Sequence, residues 1–264
     1  MAGFFKNIWS YRGFILSSVK REFQSKYRNS MLGAAWTVIN PLAMIFVYTV
    51  IFSQVMKTKL PGTNSSFAYS VYLCSGLLTW GFFAEIVNGL QTVFLGNSNL
   101  LKKLSFPRLC LPIITVLNAV LNFSIVFGLF TIFLIISGDF PGWSYCGLLP
   151  VFIILIAFSA GLGITLGVLN VFFRDVGQLF GVILQFWFWF TPIVYPVSIL
   201  PDFVRRCLIF NPMVGIIAAC QKIFLFRQWP DWASLAPVAL LAVALCFFSW
   251  RLFRKRSGEM VDEL

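Results

Sequence analysis

Six apolar stretches, each long enough to cross a bilayer as a helix, constrain this chain more than any other feature of its sequence. A transmembrane helix needs about 20 apolar residues to cross roughly 30 Å of hydrocarbon. Glu85 is the only charged residue in the stretches, which cover residues 34–55, 67–95, 109–137, 145–173, 176–200 and 233–250. Because lipid offers no hydrogen-bond partners to the backbone, such segments are expected to be helical. The sequence therefore predicts an all-α polytopic membrane protein with six transmembrane helices, in which residues 1–264 form one domain.

The overall composition excludes a soluble protein and argues against nucleic-acid binding. Hydrophobic residues make up 59% of the chain and charged residues 11%, whereas a soluble domain has about 45–50% apolar and about 25% charged residues. The net charge is +11, but the basic residues form short clusters between the apolar stretches and no continuous basic face. We therefore expect the chain to contact membrane lipids and no nucleic acid.

The distribution of basic residues predicts which side of the membrane holds the termini. Six spans place both termini on one side, and cytoplasmic segments are enriched in lysine and arginine. If the termini are cytoplasmic, then the N-terminal segment, the 96–108 loop, the Arg174 turn and the C-terminal segment hold 14 of the 20 basic residues. We therefore predict that both termini are cytoplasmic.

Residues 1–30 are expected to form an amphipathic helix at the membrane interface. Apolar residues recur at helical spacing, from Phe4 and Ile8 to Ile15 and Val19, and basic residues lie on the opposite face. This pattern is typical of a helix whose apolar side lies in the membrane surface. It lacks the uninterrupted apolar core and cleavage site of a signal peptide. A helix packed on a partner protein would show the same pattern and stays open as an alternative.

The segment between the fifth and sixth stretches, 201–228, is predicted to enter the membrane without crossing it. Its apolar run, 207–221, is only 15 residues long and is interrupted by Asn211-Pro212. Short, interrupted runs favour a re-entrant or interfacial helix pair. A crossing here would also place the basic C-terminal cluster outside the cytoplasm, against the charge distribution.

The sequence contains none of the common signatures of an enzyme. It has no histidine and only nine acidic residues, which form no cluster that would hold a metal, and it has no G-x-x-x-x-G-K-[ST] phosphate loop. We therefore predict no catalytic residue, no metal site and no cofactor on this chain, and an energy source in another chain. Gly161, Gly163 and Gly167 are interpreted as small residues that permit close helix packing. Glu85 is interpreted either as a polar helix-packing group or as a residue near an interface.

Aromatic residues make up 18% of the chain, and their densest run is Phe186, Trp187, Phe188, Trp189, Phe190. At about 100° per residue, this run covers every side of a helix, so at least one ring must face protein or a pathway. One hypothesis is that flat aromatic faces stack on the CH-rich faces of sugar rings. Lipid-facing and interfacial aromatics are the alternative.

An ordered set of short motifs resembles the membrane (permease) subunits of O-antigen and related polysaccharide ABC exporters. The first motifs are Lys20-Arg21-Glu22-Phe23, Tyr27-Arg28-Asn29-Ser30, Leu32-Gly33, Trp36 and Pro41-Leu42. The later motifs are Phe106-Pro107-Arg108, Leu111-Pro112, Arg174-Asp175, Leu184-Gln185, Thr191-Pro192-Ile193, Tyr195 and Asn211-Pro212. Together they extend over about residues 20–225, in the order that the family shows.

The resemblance implies a homodimer of six-helix subunits paired with two copies of a cytoplasmic ABC ATPase, which binds ATP and magnesium. The dimer would export a lipid-linked polysaccharide across the bacterial inner membrane to the periplasm. The resemblance also implies periplasmic gate helices at Asn211 and Pro212. A short coupling helix would contact the ATPase from the 96–105 loop, with Asn97, Leu100, Lys102 and Lys103. The alternative for Lys102 and Lys103 is that they only set the topology of the chain in the membrane.

A polymer that is too long for a closed pocket is expected to move along a pathway lined by aromatic and neutral polar groups. The candidates in spans one, two and five are Trp36, Asn40, Tyr48, Tyr69, Tyr72, Trp80, Trp187, Trp189 and Tyr195. No residue set in the sequence identifies a particular sugar. Export of a capsule or teichoic-acid polymer or of a small drug, an ion-coupled glycan flippase, and a channel or scaffold therefore stay open as alternatives.

Overall fold

The computed structural model describes residues 10–27, 35–50, 68–103, 108–197 and 200–263, and every regular element in these ranges is helical. The α-helices are α1 Arg12–Tyr27, α2 Trp36–Val50, α3 Ala68–Gly96, α4 Ser98–Lys103, α5 Cys110–Ser137, α6 Leu148–Phe172, α7 Asp175–Trp189, α8 Asp202–Cys207, α9 Pro212–Phe226, α10 Trp232–Arg256 and α11 Glu259–Glu263. Two 3-10 helices, Gly142–Gly147 and Leu208–Phe210, precede α6 and α9. The predicted all-α class is confirmed.

Four helical segments are long and apolar enough to cross a membrane: α3, α5, Gly142–Phe172 and α10. The helical segment Asp202–Phe210 together with α9 would be long and apolar enough to form a fifth span, but the two parts meet at an angle of 101°. The described residues therefore form a multi-pass helical membrane protein with four or five candidate spans. The count of six and the re-entrant hairpin stay predictions.

The predicted first and fifth spans correspond to α2 and α7, which have 15 residues each. Such a helix is about 22 Å long at 1.5 Å per residue, which is less than the hydrocarbon thickness. α7 ends at Trp189 because Pro192 lacks an amide hydrogen and disfavours helical geometry at Thr191. The α-helix thus covers only part of the predicted 176–200 stretch. The first predicted stretch continues to residue 55, and its part beyond residue 50 lies outside the described residues.

α3 lies at the centre of the fold, where α5, α6 and α9 pack against it, and α10 packs along α6. The α3–α6 contact is close because α6 presents glycines. A Cβ atom at Gly163 would lie 2.7 Å from the Leu90 Cβ atom, and one at Gly167 would overlap the Leu90 carbonyl oxygen. Gly161 likewise lies against the α10 backbone at Cys246. The interpretation of these glycines as close-packing residues is confirmed.

α1 packs on α5 with the apolar side that the sequence pattern identifies. Ile15 and Val19 are buried against Cys110 and Ile114 of α5, whereas Leu16 is exposed. Part of the apolar face therefore contacts the same chain. The exposed Leu16 is accessible to lipid or to a partner, and the interfacial position of this helix stays a prediction.

Candidate transport site

Trp80 and Trp187, two predicted pathway residues, meet inside the subunit. The Trp80 indole is edge-on to the rings of Trp187 and Phe188, with ring centroids 6.1 and 5.7 Å apart. Trp187 also contacts Phe83 of α3 and Phe158 of α6. Each such ring pair stabilises the fold by about 0.5–1.5 kcal/mol beyond its area burial. This aromatic cluster joins α3, α6 and α7, and within it Trp80 is buried and Trp187 is half-buried.

Trp187 is also bonded to Asn211, the predicted gate residue. Its Nε1 atom donates to Asn211 Oδ1 at 2.8 Å, and that oxygen also accepts the Met213 amide at 3.1 Å. Asn211 Nδ2 donates to Thr191 Oγ1 at 3.0 Å and to the Phe190 carbonyl at 3.3 Å. We call these five residues the hairpin joint, because they connect the end of α7 to the start of α9.

The local sequence explains why α9 begins at this point. Asparagine is among the preferred N-cap residues because its side-chain oxygen accepts an otherwise unpaired amide of the first helical turn. Proline is favoured at the next position, where no amide partner is needed. Asn211-Pro212 has this arrangement at the start of α9. The same asparagine therefore caps α9 and holds α7, which the sequence did not reveal.

Three predicted pathway tyrosines bind or belong to the irregular backbone that follows α7. The Tyr69 hydroxyl donates to the Val194 carbonyl at 2.5 Å. The Tyr72 hydroxyl lies 3.1 Å from the Pro192 carbonyl and 2.9 Å from the Tyr195 carbonyl. A non-helical backbone at membrane depth requires such partners, because lipid supplies none. In the structure these tyrosines hold the segment, and whether their rings also contact a polymer stays a prediction.

Three other candidates lie on the surface of the subunit. Trp36 is 38% exposed and Trp189 is 59% exposed. Asn40 is exposed and lines a cavity of about 360 Å³ between α2, α3 and α5. Tyr48 belongs to α2, but its side chain lies outside the described residues. Among the eight candidates with described side chains, three are therefore buried, two are half-buried and three are exposed.

A second cavity, of about 610 Å³, lies between α7 and the bent helix pair of α8 and α9. Its aromatic lining includes Phe186, Phe190, Phe203 and Phe210, which are all exposed. Sequence reasoning singled out the 186–190 run but named only its tryptophans as candidates. It missed Phe203 and Phe210. The signal for both was only that they are aromatic residues within the segment 201–228.

The predicted coupling loop contains the short helix α4, which Asn97 connects to α3. Asn97 Nδ2 donates to the Val93 carbonyl at 2.9 Å, and the Asn97 carbonyl accepts the Leu100 amide at 3.0 Å. Lys102 is exposed, and the Lys103 side chain lies outside the described residues. Leu100 is half-buried, whereas its neighbour Leu101 is buried. The residue that anchors α4 is therefore Leu101, which the sequence-based set omitted.

Leu101 belongs to an apolar cluster that we call the coupling cluster, formed by Val93, Phe94, Leu101, Leu111, Val168, Val171, Phe253 and Met260. Met260 is only 1% exposed and brings α11 against α4 and α6. At the turn into α11, Arg256 pairs with Glu259 and lies over the Phe172 ring at 5.7 Å. Sequence reasoning missed the contact of α11 with α4, because a turn at Ser257–Gly258 separates Met260 from the helix that carries Phe253.

A buried polar clamp ties the α6–α7 turn to α3. Asn170 Nδ2 donates to the Gln91 carbonyl, and Asn170 Oδ1 accepts the Gly177 amide, both at 3.0 Å. Gln91 Nε2 donates to the Gly177 carbonyl at 2.8 Å. A Cβ atom at Gly177 would lie 2.9 Å from Asn170 Oδ1. The clamp therefore requires glycine at this position and fixes the Arg174-Asp175 turn relative to the helix that leads into α4.

Among the described residues, no acidic or basic side chain is buried. Within the described ranges, no group of three or more histidine, cysteine or acidic residues is placed to hold a metal. On α1, partial burial raises the pKa of the Glu22 carboxyl above its ordinary value, and the adjacent Arg21 partly offsets this effect. The described pathway candidates are all aromatic or neutral polar residues.

These features define a multi-pass helical membrane protein with aromatic surface cavities and a short helix in a basic loop. Residues 14–225 match the family model of the ABC-2 type transporter, and the chain belongs to this family. It is 31% identical, over 98% of both chains, to an O-antigen export system permease protein of Myxococcus xanthus. It is 30% identical to a Klebsiella pneumoniae O-antigen export system permease protein, over 78% of this chain and 77% of the relative.

A more distant relative is the polysialic acid transport protein KpsM of Escherichia coli. It is 21% identical over 91% of this chain and 92% of the relative. The sequence-based resemblance to membrane subunits of polysaccharide ABC exporters is therefore confirmed.

Proposed function

We propose that this chain is the transmembrane subunit of an ATP-driven exporter that moves lipid-linked O-antigen-type polysaccharide across the bacterial inner membrane to the periplasm. The observation that carries the proposal is the similarity to an O-antigen export permease along 98% of the chain. Because the chain has no phosphate-binding loop, ATP and magnesium bind to a separate cytoplasmic ABC ATPase. The chain is a transport component and not an enzyme.

The proposed assembly is a homodimer of six-span subunits with two ATPase copies and cytoplasmic termini. α2 and α7 are the first and fifth spans, and the α8–α9 hairpin dips in from the periplasmic side and returns. The 101° angle between the two parts of the hairpin supports this arrangement. The apolar residues Leu179, Val182, Ile183 and Phe186 of α7 are exposed, and the second subunit would cover part of this surface.

ATPase coupling is proposed to run through α4. Lys102 and Lys103 offer positive charge to the ATPase, and Asn97 and Leu100 set the orientation of the helix. The coupling cluster supports this role, since it holds α4 through Leu101. Motion of α4 would pass directly into α3, because Asn97 bonds to the last turn of that helix.

The polymer pathway is proposed to have two layers. Trp36, Asn40, Tyr48 and Trp189 face the polymer, so that sugar rings slide along aromatic and amide surfaces. The second layer is the wall behind these residues, and it is formed by Trp80, Trp187, Tyr69, Tyr72 and Tyr195. The exposure of Trp36 and Trp189 supports the first layer, and the hydrogen bonds of Tyr69 and Tyr72 support the second.

Export of a capsule polymer is the second candidate function. It is favoured by the similarity to KpsM, a polysialic acid transport protein. The identity to KpsM is lower than the identity to the O-antigen relatives.

Reconstitution with an O-antigen exporter ATPase tests the proposal. The purified chain alone should bind no ATP, and vesicles containing both proteins should move lipid-linked polysaccharide only when ATP and magnesium are supplied. A matched control carries an ATPase with its phosphate-loop lysine replaced. Transport driven by a proton or sodium gradient without the ATPase would overturn the proposal in favour of an ion-coupled flippase.

A further inference from the structure

Two glutamate–asparagine pairs lie on successive turns of α5. Asn118 Nδ2 donates to Glu22 of α1. One turn further along, Asn122 Nδ2 donates to Glu85 Oε1 of α3 at 2.6 Å. Residues four apart in a helix share a face, so both pairs lie on one side of α5. We call Glu22, Asn118, Asn122 and Glu85 the polar ladder.

If the ends of α3 and α5 at the coupling loop mark the membrane surface, the polar ladder reaches from that surface to the middle of the membrane. α3 ends at Gly96 and α5 begins at Cys110, and both of these ends flank the predicted coupling loop. At 1.5 Å per residue, Glu85 lies about 16 Å and Asn122 about 18 Å from these ends, which is roughly half of the 30 Å hydrocarbon thickness. A carboxylate at such depth costs free energy and therefore marks a functional site by default.

The inner end of the ladder opens into the cavity of about 360 Å³ between α2, α3 and α5. Glu85, Asn122 and Asn40 contribute its carboxylate and amide groups, and Phe82 and Phe123 contribute aromatic rings that stack at 4.1 Å. A mainly apolar cavity with a few convergent polar groups is the usual form of a small-ligand site. The carboxylate and amides can bind hydroxyl groups while the apolar lining contacts CH groups, which is the chemistry of a sugar ring.

We propose that the polar ladder and this cavity form an entry site for the sugar headgroup of a lipid-linked substrate, which reaches Glu85 laterally from the membrane surface. The proposal rests on the proposed export function and names where the substrate first binds. Within the described ranges, no lysine or arginine forms an ion pair with Glu85. Its second carboxylate oxygen is therefore available to a hydroxyl donor of the ligand.

The test uses the full chain in phosphatidylcholine vesicles, with the native cysteines replaced and Met44→Cys as the reporter. Met44 lines the cavity and is exposed. The rate of modification by a membrane-permeant maleimide is measured with dodecyl maltoside below its solubilising concentration, and separately with dodecyl phosphocholine. The maltoside, whose headgroup is rich in hydroxyl donors, should slow the modification. The phosphocholine, whose headgroup has none, should not.

Three variants identify the groups that bind the headgroup. Glu85→Leu and Asn122→Leu should each weaken protection by the maltoside about tenfold, the loss expected for a hydrogen bond to a charged group. Glu85→Gln keeps an oxygen acceptor and should protect close to the wild-type level. The matched control is Ser124→Ala. Ser124 is exposed on α5, and its hydroxyl donates to the Val120 carbonyl.

The outcomes separate this inference from the proposed export function. No protection, or equal protection by both amphiphiles, would overturn the sugar site. A Glu85→Gln variant that is as defective as Glu85→Leu would overturn it in favour of a cation or proton site. If the chain exports polysaccharide with an ATPase but the maltoside does not protect Met44→Cys, only the entry site is wrong. If the maltoside protects but ATP-dependent export is absent, the export function is wrong.

Discussion

The hairpin joint and the coupling cluster hold opposite parts of the fold in different ways. The hairpin joint depends on directional bonds, with Asn211 alone bonded to four neighbours. The coupling cluster depends on shape, because apolar side chains such as Leu101 and Met260 anchor α4 and α11. Hydrogen bonds fix one geometry and cost much when a partner is lost, whereas apolar packing is non-directional. The hairpin joint is therefore expected to hold one geometry, whereas the coupling cluster is expected to tolerate the small shifts of α4 that the proposed coupling requires.

The largest effect on stability is expected at Gly167, which lies at the edge of the coupling cluster and packs directly against the backbone of α3. Gly167→Ala would place a Cβ atom on the Leu90 carbonyl oxygen and should destabilise the fold by about 3 kcal/mol or more. Thermal unfolding in detergent measures the loss. Gly128→Ala is the control, since a Cβ atom at that position would have no neighbour within 4 Å, and it should gain up to about 1 kcal/mol. Equal behaviour of the two variants would contradict the α3–α6 contact.

Removal of the polar groups of the hairpin joint at nearly constant volume should have the next largest effect. Asn211→Leu removes the α9 cap, worth about 1 kcal/mol, and leaves the Trp187 indole N–H unpaired, at a cost of about 1–3 kcal/mol. Asn211→Asp keeps the oxygen acceptor and should lose less. Unfolding temperature and polysaccharide export are measured for both. If leucine were tolerated as well as aspartate, the joint would depend on shape after all.

At Met260, unlike at Asn211, the volume of the side chain should matter and not a polar group. Met260→Ala should destabilise the coupling cluster by about 2 kcal/mol, whereas Met260→Leu, which nearly conserves volume, should cost less than about 1.5 kcal/mol. Amide exchange of the 98–103 segment should accelerate in the alanine variant and recover in the leucine variant. Glu263→Gln, an exposed change on the same helix, serves as control. An alanine variant with unchanged exchange would show that α11 does not hold α4.

The smallest effect on stability is expected at the lysines of α4. Lys102→Glu combined with Lys103→Glu should leave the unfolding temperature nearly unchanged, because Lys102 is exposed and a surface ion pair is worth only about 0–1 kcal/mol. It should weaken stimulation of the ATPase, since the charges meant for that partner are reversed. ATPase rates in reconstituted vesicles provide the measurement. Normal stimulation and export would assign both lysines to setting topology alone.

Much of the fold and part of the site could be predicted from the sequence. The all-helical class, the packing role of Gly163 and Gly167, and the turn at Asn211-Pro212 each have a strong local signal, whereas the short helix in the 96–105 loop was implied by the family resemblance. Leu101 could not be distinguished from Leu100, because both belong to a helix of one and a half turns. The bond between Trp187 and Asn211 and the pair of Glu85 with Asn122 join separate elements, and no local pattern encodes such contacts.

The sequence by itself determined that this chain folds into apolar helices, because only helices and closed barrels satisfy the backbone inside a membrane, and its ordered motifs determined the family. Only the tertiary structure decided which side of each helix faces the protein, so that Trp80 is buried and Trp189 is exposed. The physical reason is that lipid tails are as apolar as a protein core. Hydrophobicity therefore identifies a membrane helix but cannot orient it, and packing against neighbouring helices does so.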